Sequence, residues 1–495
     1  MLETPRMSDR QFVEKRGEME TNLDKSTNTE VPLILDVDGT LLRTDLLLET
    51  FWAALGQGLV KTLKTVAKHW TRPERLKQAL TEISKPRIDQ LPVRSSVQEM
   101  AQQAIENDRA VHLVSGASQQ LVDELGVRLE LSGPHFGSDS DRNLTDATNA
   151  AFLIERFGSG GYDYAGNSNA DLKSWVTARK IIVVEPDAAL KRKIEALAKP
   201  TITLTDAWGL QDIRREIRPR QWVKNLLLFA PLIASHSFEA GAFIAVCFAA
   251  IAFSFGASSI YIVNDLLDLE ADRSHPEKRF RPIASGDLPI VAAMKVSVLL
   301  ALLAVALALS VSPQVALLTV GYMAGSLSYS LWFKKIRWLD LIALTCLFLL
   351  RILAGAVAAQ ASIDPFLLLL AFFVFFTLAC VKRLTALSRM PSRDHLPGRG
   401  YSEFDSSPLR RAAYVGTALS AGVFLAYVWI GNDAGLYSKP LLASVATVPL
   451  FLWLFRMVRL SIAGREDYDP LRFAMRDHVG ISLAGIGLIL MAFAV

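Results

Sequence analysis

Hydrophobic positions divide the chain of 495 residues into two parts with different patterns. Up to about residue 215, apolar segments are short and alternate with polar ones, as in a water-soluble domain. After Trp222, apolar residues come in runs of about 20, the length that an α-helix needs to cross a bilayer. We predict about nine membrane-spanning helices in this part, at about residues 222–238, 240–264, 290–311, 314–333, 338–360, 364–388, 411–430, 440–460 and 479–495.

The connections between these runs alternate in charge. One set is rich in lysine and arginine, for example residues 334–337 and 382–399, whereas the connection at residues 311–314 carries neither. Because positively charged loops stay on the cytosolic side, we expect the basic loops and the N-terminal part in the cytosol. An odd number of spans then places the C-terminus outside. The sequence predicts a multi-pass integral membrane protein, and we expect it in a bacterial inner (plasma) membrane.

The N-terminal part has the alternation of an α/β domain. Short apolar segments begin at about residues 31, 111, 162, 181 and 201, with helical segments between them. This order predicts a doubly wound parallel sheet. Residues 1–30 are polar and mixed in charge, which predicts a disordered tail. The predicted organisation is a tail (1–30), an α/β domain (31–205), a charged linker (206–220) and a membrane domain (221–495).

Composition narrows the class of function. Hydrophobic residues make up 51% of the chain and the net charge is only +4. No basic patch interleaved with aromatic residues suggests binding of nucleic acid. The three cysteines, Cys247, Cys346 and Cys380, all lie in apolar runs without a CxxC pair, so we predict neither a disulfide framework nor a zinc site.

An acidic stretch follows the second apolar run. Asn264, Asp268 and Asp272 recur every four residues, and Asp265 lies beside them. A continuous helix would therefore place these side chains on one face. Carboxylates at a membrane boundary are costly unless they meet a cavity, a partner or a metal ion.

A cationic turn comes next and contains Lys278, Arg279 and Arg281. Acids suit Mg²⁺, and the cations that follow suit phosphate. The combination predicts a site for a metal-bound diphosphate. The alternative is an ordinary charged loop beside the membrane.

Polar side chains also follow the strands of the N-terminal part. Asp36 and Asp38 come directly after the first strand, Ser115 ends the second, and Asp171 follows the segment that begins at residue 162. Open α/β sheets bind ligands at the carboxyl ends of their strands. The run from Asp36 to Thr40, with Ser115 and residues 166–171, resembles the motifs of the haloacid dehalogenase (HAD) superfamily of phosphatases.

The HAD resemblance implies an α/β fold with a Rossmann-like parallel sheet and a helical cap. It implies that Asp36 attacks phosphorus and that Asp38 serves as general acid and then base. Ser115 would bind phosphoryl oxygens, and Asp36 and Asp171 would hold Mg²⁺.

Two positions depart from the HAD pattern. Asn167 stands where an acid is usual, and the expected lysine is missing from residues 147–150, where Asn149 lies. Without that cation, the repulsion between nucleophile and phosphate is less compensated. Two interpretations stay open: an active phosphatase, or a docking or regulatory domain.

The membrane part resembles the UbiA superfamily of intramembrane prenyltransferases, through residues 264–272 and the basic turn at 278–286. Further blocks resemble its decaprenyl-phosphate phosphoribosyltransferase branch. These blocks are residues 218–225, 329–334 with Asp340, Lys382-Arg383, and 469–474.

Roles for the membrane part follow from this resemblance and from charge. Asn264, Asp265, Asp268 and Asp272 would hold Mg²⁺ on a diphosphate, and the cations of the next turn would stabilise the leaving group. The remaining candidate substrate-binding residues are Lys224, Asn225, Tyr329, Lys334, Lys382 and Arg383.

Charge selects the branch. Prenyltransferases of this superfamily carry a second acidic motif, but Lys382 and Arg383 occupy that region here, and Asp394 and Asp405 are too far apart to form one. Cations suit a donor with a 5-phosphate and an anionic lipid acceptor. The branch normally has an acidic residue at about the position of Ala386, and this chain has none there.

The sequence thus predicts a Mg²⁺-dependent transfer of 5-phosphoribose from phosphoribosyl diphosphate to a polyprenyl phosphate, followed by dephosphorylation in the HAD-like domain. One alternative is transfer of an isoprenoid from its diphosphate to an aromatic or lipid acceptor, with a non-catalytic HAD-like domain. The other is a membrane transporter, for which the chain lacks evident internal repeats.

Overall fold

The computed structural model describes residues 31–138, 144–206, 208–235, 239–362, 364–390, 396, 398–430, 438–464, 473 and 477–494. The predicted tail, Asp394 and all but Phe473 of the 469–474 block lie outside these ranges. The chain forms two compact units. The N-terminal unit comprises Met1–Glu216 with Asp265–Lys295, and the membrane unit comprises Ile217–Asn264 with Val296–Val495. The boundaries predicted from sequence stay a prediction.

A six-stranded parallel sheet forms the centre of the N-terminal unit. Its strands are β1 (Leu33–Asp36), β2 (Val111–Ser118), β3 (Phe136–Ser138), β4 (Asp163–Gly166), β5 (Lys180–Val184) and β6 (Thr201–Leu204). The strand order is β3-β2-β1-β4-β5-β6, and every neighbouring pair is parallel. The predicted α/β class is therefore confirmed. β1 lies at the point where the strand order reverses, so its carboxyl end opens onto a crevice.

Alternate residues of β1 enter two hydrophobic cores. Leu33 and Leu35 pack on one face of the sheet, and Ile34 packs on the other. Burial on both faces explains why this strand reads as a continuous apolar run. The helices that cover the sheet are α1 (Leu46–Gln57), α2 (Leu59–His69), α3 (Pro73–Ile83), α4 (Ser95–Glu106), α5 (Gln119–Arg128), α6 (Asp146–Phe157), α7 (Leu172–Thr177), α8 (Ala188–Glu195) and α9 (Leu210–Glu216).

Helices dominate the chain beyond Glu216. They are α10 (Ala230–Ala234), α11 (Ala240–Leu267), α12 (Leu269–Ser274), α13 (Pro282–Ser285), α14 (Ile290–Val311), α15 (Pro313–Leu331), α16 (Leu339–Ala359), α17 (Pro365–Ser388), α18 (Ser406–Trp429), α19 (Pro440–Val445), α20 (Thr447–Ile462) and α21 (His478–Ala494). Short 3-10 turns precede or join several of them, at Pro219–Phe229, Lys278–Phe280, Phe333–Lys335 and Glu403–Asp405.

Six helical stretches in the described part of the chain are long and apolar enough to cross a bilayer. They are Ala240–Leu267, Ile290–Val311, Leu339–Ala359, Pro365–Ser388, Glu403–Trp429 and Pro440–Ile462. The chain is thus a polytopic membrane protein, but the count of nine spans is not confirmed. α21 has only 17 residues. The region predicted at 222–238 contains the 3-10 turn and α10 instead of one long helix, because Pro231 lacks an amide hydrogen and starts a new helix.

The helix that carries the acidic stretch is interrupted. α11 ends at Leu267, and Asp268 has φ −101° and ψ 14°, after which α12 begins at Leu269. The expectation of a continuous helix is therefore wrong at this one residue. The Asp272 amide still donates to the Asp268 carbonyl at 2.8 Å, so the break is local.

Candidate functional site

The first group of predicted residues lies at the carboxyl end of β1. Asp36 ends the strand, and its carboxylate accepts a hydrogen bond from Thr40 Oγ1 at 2.9 Å. The turn after it passes through Gly39 with φ +77°, a left-handed conformation that suits glycine. A Cβ built on Gly39 would lie 2.2 Å from Nδ2 of Asn167. The side chain of Asn167 therefore lies directly against this turn.

Three carboxylates interact at this end of the sheet. Burial raises the pKa of Asp36 well above its usual range, and repulsion by Asp171 and Asp38 raises it further. A divalent cation would relieve this repulsion, and carboxylate oxygens are the ligands that Mg²⁺ prefers. Among the described residues, no three His, Cys, Asp or Glu side chains form a metal cage by themselves. Mg²⁺ commonly needs only one or two carboxylates when substrate oxygens and waters complete its shell, so Asp36 and Asp171 fit it.

Asp38 is held in place by two hydrogen bonds. Its Oδ1 accepts a hydrogen bond from the Leu46 amide at 2.8 Å, and its Oδ2 accepts one from Ser115 Oγ at 3.4 Å. Burial and the charge of Asp45 raise the pKa of Asp38 to about 7, against the opposing effects of that amide and of Lys77. A carboxyl group with this pKa exchanges its proton near neutral pH, as a general acid and base requires.

A neutral hydrogen-bonded chain occupies the place where the HAD pattern expects a lysine. Asn149 donates to the Tyr164 hydroxyl at 3.1 Å, and Tyr164 donates to Asp171 at 2.9 Å. Asp171 also accepts from the amides of Asn167 and Ser168, at 3.0 and 2.9 Å. These contacts orient the Asp171 carboxylate without supplying positive charge.

Positive charge comes instead from Lys77 on α3. Its Nζ donates to the Gly116 carbonyl at 2.8 Å, directly after Ser115. Lys77 and Asp38 line one cavity of about 20 Å³, which has room for about one water molecule. A phosphomonoester is larger than this cavity, whose walls include residues of α1 and α3. Lys77 was not predicted from sequence, because it lies on an amphipathic helix that is separated along the chain from the residues at the strand ends.

The second group of predicted residues lies in the segment Asp265–Lys295. Arg281 bridges two of the acids, with its Nη1 3.0 Å from Asp265 Oδ1 and in an ion pair with Asp272. Lys278 Nζ lies 3.4 Å from the other oxygen of Asp272. Burial and repulsion by Asp265 raise the pKa of Asp272, whereas Arg281 and Lys278 lower it, and the net direction is upward. Neighbouring carboxylates of this kind suit a divalent cation.

Two further predicted residues lie in this segment. Asp268 lies at the break between α11 and α12. Arg279 is exposed and its guanidinium stacks on the ring of Phe280, 4.8 Å from the centroid. Arg281 and Lys278 are therefore the cations that the structure brings to the acids.

The third group lies in the membrane unit around a cavity of about 200 Å³. Predicted residues Lys224, Asn264, Tyr329 and Lys382 line it. Two further cations in its wall are Arg351 and Arg399, and no carboxylate belongs to its described lining. Leucine and phenylalanine side chains complete the wall. The described lining is therefore rich in cations, one of which, Arg399, also pairs with the Asp340 carboxylate at 3.2 Å.

Arg351 is the most buried of these cations, with 4% of its surface exposed. Its guanidinium donates to Asn225 Oδ1 at 2.9 Å and to the Tyr322 hydroxyl at 2.8 Å, and it lies over the Tyr322 ring. All of its described partners are neutral, so its charge is not cancelled locally. Asn225 is thus placed behind Arg351 rather than in the cavity wall. Arg351 is not among the site residues predicted from sequence.

Arg383 meets a carboxylate instead of the cavity. Its Nη2 donates to Asp340 at 2.9 Å and to the Tyr329 hydroxyl at 2.9 Å. Arg399 also donates to Tyr329, at 2.9 Å. This network fixes the Tyr329 hydroxyl at the cavity wall. Lys334 lies on the turn Phe333–Lys335, outside the cavity lining.

The chain is similar to several known proteins. Residues 226–475 match the model of the UbiA prenyltransferase family. The uncharacterized protein y4nM of Sinorhizobium fredii is 30% identical over 472 residues, which cover 94% of this chain and 91% of that protein. Decaprenyl-phosphate phosphoribosyltransferase of Mycobacterium tuberculosis is 33% identical over 290 residues, which cover 57% of this chain and 94% of that protein.

Among solved structures, a UbiA homolog from Archaeoglobus fulgidus bound to GPP and Mg²⁺ is similar, with a TM-score of 0.44 and 16% identity. The alignment covers 57% of this chain and 98% of that structure. The family match and the long similarity to the mycobacterial relative establish the class of the membrane unit. The chain is an integral membrane protein and belongs to the UbiA prenyltransferase family.

Proposed function

We propose that this protein transfers 5-phosphoribose from phosphoribosyl diphosphate to a polyprenyl phosphate. The observation that carries the proposal is the cavity of the membrane unit, with four cations and no acid in its described lining. A neutral aromatic acceptor gains nothing from such a wall, whereas a phosphate-bearing acceptor does. The name of the mycobacterial relative supports the same reaction.

The cavity residues suggest how the acceptor is held. Lys224, Lys382 and Arg399 would bind the lipid phosphate, and Leu344, Phe348 and Leu378 would contact its isoprenoid chain. The lipid phosphate is ionised at neutral pH, so its oxygen attacks C1 of the ribose without a strong base. The bond between C1 and the diphosphate oxygen breaks, and diphosphate leaves.

Asn264, Asp265, Asp268 and Asp272 would hold Mg²⁺ on the donor. The ion would supply positive charge to the diphosphate as it leaves. Lys278 and Arg281, which already pair with these acids, would exchange an acid oxygen for a diphosphate oxygen. Asn264 also lines the cation-rich cavity and directly precedes Asp265 in the chain.

The N-terminal unit would then remove the 5-phosphate from the product. Asp36 would attack the phosphorus atom and Asp38 would protonate the leaving oxygen, while Mg²⁺ at Asp36 and Asp171 would supply further positive charge. Ser115 and Lys77 would hold the phosphoryl oxygens, so Lys77 takes over the task of the lysine missing near Asn149. We place both reactions at the cytosolic face of a bacterial inner membrane, because the basic loops predict that orientation.

One experiment tests the whole proposal. Membranes that contain the protein are incubated with labelled phosphoribosyl diphosphate and polyprenyl phosphate, with and without Mg²⁺, and the lipid products are separated. We expect label in the lipid only with Mg²⁺, and near-complete loss in Asp268→Asn at equal protein levels. Transfer from labelled geranyl diphosphate to an aromatic acceptor, with none from phosphoribosyl diphosphate, would instead establish the prenyltransferase alternative.

A further inference from the structure

The N-terminal domain holds the segment that carries the donor-site cations. We propose that Glu49, on α1, is a positioning residue for the transferase: it fixes Arg273 and thereby the turn that carries Lys278 and Arg281. The proposal rests on the function proposed above, which assigns that turn to the diphosphate of the donor. Glu49 belongs to neither of the two sites.

The contact between Glu49 and Arg273 is a buried, two-pronged ion pair. Arg273 Nη1 and Nη2 lie 3.0 and 2.7 Å from the two oxygens of Glu49. The side chains are only 6% and 3% exposed. Paired N–H donors facing a carboxylate fix the direction of both groups, and burial removes the competition from water. The pair therefore acts as a rigid clamp within the N-terminal unit.

The same guanidinium holds the far side of the cationic turn. Arg273 Nε donates to the Ala284 carbonyl at 3.0 Å, in α13. Arg281 directly precedes α13, and its carbonyl accepts the Ser285 amide at 2.9 Å. Arg273 thus ties together the two ends of the stretch that contains Lys278 and Arg281. Loss of the clamp would free both ends at once.

Further contacts seat this stretch on the N-terminal domain. Arg43 Nη1 lies 3.2 Å from Asp287 Oδ1, and Arg215 donates to the Phe280 carbonyl at 3.0 Å. Gly286 has φ +79°, and a Cβ built on it would lie 2.8 Å from Arg43 Cβ and 2.9 Å from Pro92 Cβ. The close approach shows that the turn is packed against the domain and not merely tethered to it.

Glu49 is also connected to the loop that follows Asp36. Its Oε1 accepts a hydrogen bond from Thr44 Oγ1 at 2.6 Å, and the Thr44 carbonyl accepts the Gly39 amide at 3.1 Å. One buried carboxylate therefore contacts both the loop of the proposed phosphatase and the segment of the donor site. This gives a physical reason for the two activities to share one chain.

The test compares Glu49→Gln with the wild-type full-length protein in membranes. Glutamine keeps the size and can still accept from Thr44 but removes the charge that holds Arg273. We expect faster hydrogen–deuterium exchange in residues 273–287, and an apparent KM for phosphoribosyl diphosphate raised about tenfold, because donor-binding groups lose their fixed position. The apparent KM for polyprenyl phosphate should stay within about twofold, since its proposed ligands lie in the membrane unit.

Two further variants keep the result interpretable. Glu49→Gln leaves Arg273 buried without its charged partner, so the double variant Glu49→Gln/Arg273→Met removes both charges and should still fold. It should show the same exchange and the same rise in donor KM. The matched control is Glu124→Gln, which breaks the ion pair with Lys85 (2.5 Å) on another surface of the domain. It should behave as wild type.

The outcomes separate the clamp from the proposed reaction. If exchange in residues 273–287 is unchanged in both Glu49 variants, or rises without any change in donor KM, Glu49 does not position the donor site. If the wild-type protein transfers nothing from phosphoribosyl diphosphate, the proposed function fails and exchange alone decides the clamp. In that case, faster hydrogen–deuterium exchange in residues 273–287 of the Glu49 variants would support the clamp, and unchanged exchange would overturn it.

Discussion

The N-terminal site and the membrane cavity have opposite charge balances. At the end of β1, the Asp171 and Asp38 carboxylates raise the pKa of Asp36, and Lys77 lines a cavity together with Asp38. In the membrane unit, four cations surround a cavity whose described lining contains no acid. If both sites bind phosphorylated ligands as proposed, the first would need a metal ion to offset its carboxylates, whereas the second already contains cations. The two sites proposed for phosphorylated ligands thus differ in the sign of the charges around them.

The largest expected effect separates the two sites by their products. Asp36→Asn removes the nucleophile, so hydrolysis of the 5-phosphate should fall by about a thousandfold or more while transfer continues. The lipid product should then accumulate with its 5-phosphate, as chromatography of labelled lipid would show. Asp108→Asn is the control, because Asp108 is exposed and has a left-handed backbone that asparagine tolerates. Equal dephosphorylation by Asp36→Asn and wild type would remove the N-terminal site from the reaction.

A smaller effect is expected when the membrane cavity loses one cation. Lys382→Gln should lower kcat/KM for the lipid phosphate by about tenfold to a hundredfold. This range corresponds to the usual free-energy contribution of one charge-assisted hydrogen bond. Hydrolysis of p-nitrophenyl phosphate by the N-terminal unit should not change. Lys335→Gln, on the exposed turn outside the cavity lining, should keep full transfer. A Lys382→Gln protein with wild-type lipid kinetics would show that this cation does not bind the acceptor.

Lys77 offers the corresponding change on the acidic side. Lys77→Gln should lower hydrolysis of a phosphomonoester by about tenfold and weaken inhibition by inorganic phosphate to a similar degree, because the phosphoryl oxygens lose their cation. Lys64→Gln, on the exposed surface of α2, serves as the control. Unchanged inhibition by phosphate in Lys77→Gln would assign Lys77 to holding α3 in place through Gly116.

The smallest effect is a shift along the pH axis. As a general acid with a pKa of about 7, Asp38 must be protonated, so kcat/KM for phosphomonoester hydrolysis should fall as pH rises above about 7. Lys77 favours the charged form of Asp38 and lowers its pKa. In Lys77→Gln the pKa of Asp38 should rise, and the falling limb should move to higher pH. A limb at the same pH in both proteins would mean that Lys77 does not act on Asp38.

Sequence patterns predicted the strands of the sheet better than they predicted which charged residues lie together at the candidate sites. β1, β2, β4, β5 and β6 were recognisable from sequence as short apolar segments between helical ones, because buried parallel strands are apolar. β3 was not, because its three residues give no periodicity. The break at Asp268 was also hidden, since neither glycine nor proline marks it.

The missed residues share a physical cause. The possible roles of Lys77 and Arg351 depend on which groups surround their side chains in the folded protein. Helical periodicity indicates only which face of a helix a residue occupies. Arg351 lies within a long apolar run and was not predicted as a site residue, yet it lines the cavity. Arg383 was predicted as a phosphate ligand, but Asp340, 43 positions earlier in the chain, pairs with it. Pairings at such sequence separations follow from the fold.

The N-terminal unit is discontinuous, because residues 265–295 return to it after the first long apolar helix. A gene fragment that stops at Glu216 would encode Glu49 without Arg273, and a buried carboxylate left alone in this way destabilises a domain by about 3–5 kcal/mol. The complementary fragment would display Arg273 and the cationic turn without the surface on which they rest. Expression of the soluble part and the membrane part as separate fragments should therefore destabilise both fragments. Low yield or weak activity of either fragment would say little about the intact enzyme. Coexpression of the two fragments, with recovery of the Glu49–Arg273 contact, is the appropriate reconstitution.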